Sequence, residues 1–375
     1  MKTSYFKYVS LIGYILFVNI NIYSQELLAS FTINTDDEAE LVKINTNEDA
    51  VMFFDCLSNK DSLILYKIDG NNMDVLKIKN VSVSDGQQVY YSSPYSMFYT
   101  KDTLFVTFGE YCAMYASKDM KLSKIIPLID TVDGIDGYYS IVGYRDKKLI
   151  LADDLYYHKG LKDYTKCNLV CVDVEKESIT DRKTIDFGNA ILLNTRSNIN
   201  IFCSDTKYIS VMHTIKPIVY ILDYNLDIID SILFNKTVGY RQSEIMLDSV
   251  FNEDLIQDCI NSPKTSIYIL NEKFDIYNKG YNLKQCFLGN NQLIVYKPFD
   301  SSLFNIVCVN IDTKEIQNIA SFKEDDILAA IHDMKVFPLF KNGILFKQNE
   351  RLCNNEEDII YSIDMYYVKQ LDVCR

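Results

Sequence analysis

Apolar and polar residues alternate along most of the chain in short runs, and polar turns separate one run from the next. Runs of this kind are typical of half-buried β-strands. The stretch NLVCVDVEKESI at Asn168–Ile179 contains one run, a turn and the start of a second run. The similar stretch NIVCVNIDTKEI begins at Asn305, 137 residues later (305 − 168). The sequence therefore predicts a repeated β-unit.

Seven copies of this hairpin can be recognised, each by the last apolar residue before its turn. Their spacing averages about 49 residues, the length of a four-stranded propeller blade. The seven positions are Ile68, Ala116, Val172, Leu222, Leu270, Val309 and Ile363.

We therefore expect an all-β fold, a single β-propeller domain over residues 25–375. Seven four-stranded blades are favoured and six are the alternative. Residues 31–55 are expected to supply the inner strands of the first blade or the strand that closes the ring. A pair of β-sandwiches fits less well, because no Pro/Gly/Ser-rich linker occurs in a chain with 6 Pro and 13 Gly.

Two stretches depart from the strand pattern. Residues 243–260 place apolar pairs at a spacing close to that of a helix. Residues 323–334 resemble a short helix with acidic residues near its start, where they suit the helix dipole. Both are expected to be insertions between strands.

The N-terminal residues 1–24 have the features of a secretory signal peptide. Lys2 and Lys7 precede an apolar stretch at Tyr8–Ile20, and Ser24 is a small residue at a plausible cleavage point before Gln25. A membrane anchor is the alternative, but the stretch is shorter than the ~20 residues that a span needs. We expect a chain that is exported to the periplasm or the cell exterior and is not inserted in the membrane after cleavage.

Composition narrows the choice of partners. A net charge of −13 argues against nucleic acid and against anionic membrane surfaces. The aromatic residues are 28 Tyr and 20 Phe, with no Trp, and this bias favours strands. Most of the ten Cys are expected to pack as small apolar residues, as in the V-C-V runs around Cys171 and Cys308. A disulfide that involves Cys353 or Cys374 stays open.

The Tyr-, Asn- and Ile-rich four-stranded repeats behind an export signal resemble the TolB-like and six-bladed β-propeller proteins that Bacteroidetes export. The resemblance covers the whole mature chain and implies a six-bladed propeller with a binding role. It supplies no catalytic residues. The chain departs from many members of this group, which are lipoproteins, because no Cys lies near the cleavage point. The absence of Trp separates it from WD-repeat proteins.

No known catalytic or metal-binding motif occurs in the sequence. The three histidines, His158, His213 and His332, lie far apart, and His213 is expected to be packed or at a rim. Asp130, Asp133 and Asp136 could hold Ca²⁺, but their spacing of three residues does not match the known calcium loop. An ordinary acidic turn is the preferred interpretation, and no cofactor is expected.

Tyrosines recur in the connections that lead from an outer strand to the next inner strand. In a propeller these connections emerge on one face, and tyrosine suits a recognition surface because it joins a flat apolar ring to a hydroxyl group. Alternatively, these tyrosines begin the inner strands and pack between blades. The candidate binding residues are Tyr90, Tyr91, Tyr138, Tyr139, Tyr240 and Arg241.

The function predicted from the sequence is that of an exported, monomeric, non-enzymatic propeller that binds a protein, a peptide or a glycan through its loop-rich face. Two alternatives stay open. One is a glycan hydrolase or lyase with carboxylates in the central funnel, although the sequence favours no particular pair. The other is a scaffold within an envelope assembly.

Overall fold

The fold is seen in a computed structural model of the 375-residue chain. It describes residues 25–36, 40–46, 51–56, 62–79, 82–84, 89–91, 94–108, 111–128, 139–153, 166–187, 200–205, 207–213, 218–233, 281–297, 303–323, 339–341, 344–352 and 358–368.

Every regular secondary-structure element within these residues is a β-strand. In chain order they are β1 Gln25–Asp36, β2 Glu40–Thr46, β3 Val51–Cys56, β4 Ser62–Asp69, β5 Asn72–Lys79, β6 Ser82–Ser84, β7 Val89–Tyr91, β8 Ser96–Tyr99, β9 Thr103–Phe108, β10 Tyr111–Ala116, β11 Leu122–Pro127, β12 Tyr139–Arg145, β13 Lys148–Asp153, β14 Lys166–Asp173, β15 Ser178–Asp186, β16 Asn200–Ser204, β17 Ile209–His213, β18 Ile218–Leu222, β19 Ile228–Leu233, β20 Tyr281–Leu288, β21 Asn291–Lys297, β22 Leu303–Asn310, β23 Ile316–Lys323, β24 Leu339–Lys341, β25 Ile344–Leu352 and β26 Asp358–Val368.

The strands form antiparallel units in which neighbours in sequence are neighbours in the sheet. We name the units by their strands: unit 1 is β2–β5, unit 2 is β8–β11, unit 3 is β12–β15, unit 4 is β16–β19 and unit 5 is β20–β23. The closing unit has the order β24, β25, β26 and then β1, so its outermost strand comes from the start of the chain. β6 and β7 form a separate two-stranded hairpin.

Units 1 and 2 are joined into one eight-stranded sheet. Two parallel pairs, Asn45 with Phe98 and Thr46 with Tyr99, connect their first strands. The described strands therefore form five large sheets, four of four strands and one of eight. This count differs from the seven blades, or the alternative six, that the period predicted.

Burial decreases from the first two strands of a unit to the fourth. All residues of β17 are buried, whereas β19, the fourth strand of the same unit, exposes four of its six. The same contrast holds between β9 and β11 in unit 2. The first strands of consecutive units also contact one another. The units are thus arranged around a common axis with their fourth strands outermost.

Hydrophobic clusters lie between neighbouring units of the described part of the chain. Phe98 and Phe105 of unit 2 pack with Leu149 and Val170 of unit 3. Comparable clusters join unit 1 to unit 2, unit 3 to unit 4 and unit 4 to unit 5. Sheets stacked face to face around an axis, with the N-terminal strand completing the last one, form a β-propeller. The all-β propeller class predicted from the sequence is confirmed.

Units 4 and 5 are direct neighbours. Met212 and Ile221 of unit 4 lie in one cluster with Ile294 and Val307 of unit 5. The hairpin copy at Leu270 was expected to form a blade between them. That copy lies outside the described residues, as do residues 243–260, for which a helix was predicted. The other predicted helix, over residues 323–334, also lies outside them except for Lys323, which is the last residue of β23.

The other six hairpin copies occupy equivalent places. Ile68, Ala116, Val172, Leu222, Val309 and Ile363 each lie on the third strand of their unit, in β4, β10, β14, β18, β22 and β26. Residues 31–55 were expected to supply either the inner strands of the first blade or a closing strand. They contribute to both, since β1 closes the ring and β2 and β3 begin unit 1.

The turn after the third strand explains why Asp or Asn recurs there. Asp173 Oδ1 accepts hydrogen bonds of 3.0 Å from the backbone N–H groups of Glu175 and Lys176. Asn310 Oδ1 accepts the equivalent bonds from Asp312 and Thr313, at 3.0 and 2.8 Å. A carboxylate and an amide oxygen thus fix the same turn.

The residue after this Asp or Asn connects the turn to the one between the first and second strands of the same unit. The N–H of Val174 donates to the carbonyl oxygen of Lys147 at 2.9 Å, and the N–H of Ile311 donates to that of Asn290 at 3.0 Å. The side chains of Val174 and Ile311 are buried. The repeated stretch therefore encodes a strand, a capped turn and a buried anchor.

Six cysteines lie among the described side chains. Cys112, Cys167, Cys171 and Cys308 are buried, as expected for small apolar residues. Burial raises the pKa of Cys112 to about 12, so this thiol stays protonated and unreactive at neutral pH.

Replacing Gly143 should destabilise the contact between units 3 and 4. A Cβ atom at this position would lie 2.8 Å from Ser204 Oγ, 2.9 Å from Ser204 Cβ and 3.0 Å from Tyr224 Oη. We expect Gly143→Ala to lower the free energy of unfolding by about 1–3 kcal/mol, measured by urea denaturation. The double variant Gly143→Ala/Ser204→Gly should recover part of this loss. A Gly143→Ala chain as stable as the wild type would contradict the close packing.

Replacing Asp173 by Asn, or Asn310 by Asp, should change how strongly the stability of the protein depends on acid pH. Hydrogen bonds from the backbone and side chain of Lys176 lower the pKa of Asp173. The stabilisation that Asp173 provides is therefore present above its unfolded pKa, about 3.9, and is lost as pH falls through the lower folded pKa.

Asp173→Asn should flatten the decline of the urea midpoint with acid, because the amide keeps an acceptor oxygen and does not titrate. Asn310→Asp should steepen the decline. Overlapping pH profiles for the wild type and both variants would refute this role of the turn.

Candidate functional site

The strand order gives the propeller two different faces. Turns between first and second strands and between third and fourth strands lie on one face, which we call the turn face. Connections between second and third strands and from each fourth strand to the next first strand lie on the opposite face, the connection face.

The turn face is made of short segments. Every described unit makes its turns there with two to five residues, for example Asp146–Lys147 and Gly289–Asn290. Contacts between units add to its rigidity. Lys124 of unit 2 pairs with Glu177 of unit 3 at 2.8 Å and donates to the carbonyl oxygen of Val174 at 3.1 Å.

Similar contacts continue around the turn face. Lys148 of unit 3 donates to Asn225 Oδ1 of unit 4 at 2.5 Å, and Lys314 of unit 5 pairs with Asp230 of unit 4. Within unit 4, Tyr224 Oη donates to the carbonyl oxygen of Asp205 at 2.7 Å. Burial raises the pKa of Tyr224, so the phenol keeps the proton that this bond uses.

The connection face receives much longer segments. Residues 128–138, 187–199, 234–280 and 324–338 each lead from a fourth strand to the next first strand. The segment between β5 and β8 contains the β6–β7 hairpin. The strand that closes the ring is the exception, since only residues 37–39 separate it from β2.

All six candidate binding residues belong to these fourth-to-first segments or to the strand that follows. Tyr90 and Tyr91 lie in β7, where they pair with Val83 and Ser82 of β6. Tyr138, Tyr240 and Arg241 lie outside the described residues, so their role stays a prediction.

Tyr139 does not have the exposure expected of a binding residue. It begins β12, and its side chain is 3% exposed within the cluster between units 2 and 3. The alternative interpretation, a tyrosine that starts an inner strand and packs between blades, is the correct one here. Burying the ring between two sheets removes a large apolar surface from water, which explains the placement.

Hydroxyl groups that the sequence analysis did not single out fix the start of β12. Thr107 Oγ1 donates to the carbonyl oxygen of Tyr139 at 2.9 Å and accepts from the N–H of Ser96 at 3.1 Å. Ser96 Oγ accepts from the N–H of Ile141 at 2.9 Å. These bonds hold unit 2 to unit 3 close to the connection face. A hydroxyl residue within the apolar run TLFVTF was the available signal.

A second polar cluster joins units 4 and 5. Ser210 Oγ donates to Gln285 Oε1 at 2.7 Å, and Gln285 Nε2 donates to the carbonyl oxygen of Ser210 at 3.1 Å. Gln292 Nε2 lies 2.5 Å from Ser210 Oγ and also donates to Gln285 Oε1. All three side chains are buried, so this network aligns two sheets and is closed to a ligand in solution.

Of the histidines and aspartates considered as possible metal ligands, only one lies among the described residues. His213 is fully buried, as expected, and its ring lies 5.2 Å from that of Phe187. His158, His332, Asp130, Asp133 and Asp136 lie outside the described residues. Among the described side chains, no group of three His, Cys, Asp or Glu residues could hold a metal ion. No helix in the described part of the chain has the length and apolar character needed to cross a bilayer.

Two solved structures share this architecture over nearly the whole chain. A member of the DUF4221 family from Bacteroides vulgatus is 10% identical, with a TM-score of 0.52 over 92% of this chain and 99% of its own. A protein from Bacteroides fragilis that is named as exported is 12% identical, with a TM-score of 0.51 over 91% of this chain and 94% of its own. At these identities the likeness shows the fold alone. No protein-family model and no curated protein matches the sequence.

Truncating Tyr139 should act on stability. We expect Tyr139→Ala to lower the free energy of unfolding by about 3–5 kcal/mol, as for other large aromatic residues removed from a core. Thr107→Ala should cost less, about 1–3 kcal/mol, because it leaves one buried carbonyl group without its hydroxyl donor. Urea denaturation measures both. A Tyr139→Ala chain of wild-type stability would restore this residue as a candidate for the binding surface.

Proposed function

We propose that the protein is an exported, non-enzymatic β-propeller that binds a peptide, a protein or a glycan through its connection face. The division between the faces carries this proposal. The chain makes every described turn on one face with at most five residues. On the opposite face, the segments from a fourth strand to the next first strand contain eleven residues or more, except for residues 37–39. Segments held at both ends by a rigid ring are suited to recognition, because the ring fixes their ends and leaves their sequence variable.

The composition of these segments supports a recognition role. Tyr90, Tyr91, Tyr138, Tyr240 and Arg241 combine flat aromatic rings, hydroxyl groups and one guanidinium group. Such side chains bury large areas at a low cost in conformational entropy, and they can stack on a peptide plane or on a sugar ring. The assignment of these five residues to the binding surface is part of the proposal.

We infer six blades for the intact ring. The support is that the eight-stranded sheet consists of two consecutive four-stranded meanders, which together with the four separate sheets gives six units. The direct packing of unit 4 on unit 5 argues against a seventh unit between them. Six is also the number that the resemblance to TolB-like proteins implies.

Export is the second part of the proposed function. The features of residues 1–24 are those of a signal peptide. The similar fold from Bacteroides fragilis belongs to a protein named as exported. Separation of a cell into cytoplasmic, periplasmic and external fractions, with detection of a chain that begins at Gln25, tests this assignment.

A binding screen tests the recognition role. The mature chain is exposed to a polysaccharide panel and to a displayed library of random peptides, and each hit is titrated calorimetrically. We expect Tyr90→Ala/Tyr91→Ala and Tyr240→Ala/Arg241→Ala to weaken a true ligand by about ten-fold or more, since aromatic residues and Arg dominate binding energies.

Lys101→Ala/Lys118→Ala provides the matched control, because both lysines are exposed on the turn face. Equal weakening by the control would exclude the connection face as the binding surface. The screened polysaccharides are also analysed for new reducing or unsaturated ends. Formation of such products would favour the hydrolase or lyase alternative over a protein that only binds.

A further inference from the structure

The edge of β26 is covered by a strand that comes from the other end of the chain. β1 pairs with β26 along its whole length, from Gln25 opposite Val368 to Asp36 opposite Asp358. This antiparallel ladder satisfies one complete edge of the closing unit. The covalent link from β1 to the next strand, β2, runs through residues 37–39.

One side of β1 carries the apolar contacts. Phe31 and Ile33 are buried at 8% and 1% exposure, and Ala29 packs beside them. They lie in a cluster built mainly by the rest of the ring, formed by Leu41, Val51, Phe53, Tyr66, Ile68, Tyr361, Ile363 and Met365.

The other side of β1 faces solvent. Ser30, Thr32 and Asn34 are exposed, and Ser30 Oγ donates to Asp364 Oδ1 at 2.6 Å. Near the start of the strand, the register shifts between Leu27 and Ala29. Leu27 is 54% exposed and Leu28 is 42% exposed. The apolar recognition is therefore concentrated in alternate residues at the centre of the strand.

We propose that the edge of β26, with the cluster around Ile363, is a strand-acceptor site for an extended peptide, and that β1 is its resident ligand. The peptide it fits runs antiparallel to β26 and carries a small residue, an aromatic residue and a branched aliphatic residue at alternate positions. Backbone hydrogen bonds supply the affinity, and the alternate side chains supply the selectivity.

During synthesis there is a period in which the acceptor edge of β26 is not yet covered by β1. β1 precedes all the other described strands in the chain and β26 follows them, so the two can pair only after the intervening units have been synthesised. Until then, Phe31 and Ile33 are exposed on β1 and the acceptor edge is unpaired. Closure is thus a binding event between two ends of one chain.

A cut full-length chain tests the proposal. Residues 37–39 are replaced by a site for a specific protease, the purified protein is cut there, and β1 then stays bound without a covalent link. A fluorescent peptide of sequence QELLASFTINTD is added in excess. We expect it to replace β1 in the cut protein, with a saturable rise in fluorescence anisotropy, and to leave the uncut protein unlabelled.

Two variant peptides separate strand recognition from general adhesion. A peptide with Phe31→Ser/Ile33→Ser should bind about a hundred-fold more weakly, since it buries hydroxyl groups in an apolar cluster. A peptide with Leu27→Ser/Leu28→Ser loses as many apolar residues, yet it should bind within about three-fold of the original, because these leucines face solvent.

Three results would overturn the proposal. The first is no incorporation by a cut protein that keeps its β-sheet circular dichroism. The second is equal weakening by both variant peptides, which indicates adhesion. The third is unfolding of the chain on cutting, which means that the acceptor does not persist without a covalent link. None of these results depends on whether the connection face binds a ligand.

Discussion

The pairing of β1 with β26 is the interaction on which the ring depends. Each unit of the propeller packs on its two neighbours, so the first and last units each have one side that only closure can cover. β1 fixes the closing unit by its backbone ladder, and Phe31 and Ile33 enter a cluster whose other members include Val51 and Phe53 of unit 1. Closure therefore joins β1 to the last sheet by a hydrogen-bonded edge, and it joins that sheet to unit 1 by a shared core.

Apolar clusters alone do not fix how two sheets align, because one aliphatic surface can slide on another at little cost. The polar groups between the sheets remove this freedom. Thr107 and Ser96 align unit 2 with unit 3, and Ser204 Oγ donates to the carbonyl oxygen of Val142 at 2.8 Å between units 4 and 3. Ser210 and its two glutamines do the same for units 4 and 5. A misaligned pair would leave these buried groups without partners, at a cost of about 1–3 kcal/mol each.

Much of the local structure could be predicted from the sequence because it depends on neighbouring residues. The hairpin around Val172, the capped turn at Asp173 and the apolar role of Cys171 all follow from the pattern of one stretch. Contacts between units could not be derived in this way. The pairing of β2 with β8, which merges units 1 and 2, involves residues about 50 positions apart and has no signature in either strand.

The same limit applies to the candidate site. The topology assigns the long segments to one face, and this follows from an even number of antiparallel strands in each unit. Whether a particular tyrosine is available for binding depends on where the strand begins and on what the neighbouring sheet covers. Tyr139 is the first residue of β12, where the neighbouring sheet covers it, and the pattern of the sequence alone did not distinguish it from the tyrosine before it.

The two faces follow different physical requirements, and this difference links the fold to a function. On the turn face, acidic and amide side chains cap the turns, and lysines such as Lys124 and Lys148 join one unit to the next. On the connection face, the ring requires only that each segment start and end at fixed strand ends. Segments of very different length meet that requirement, so binding can change through these segments while the clusters between the units stay the same.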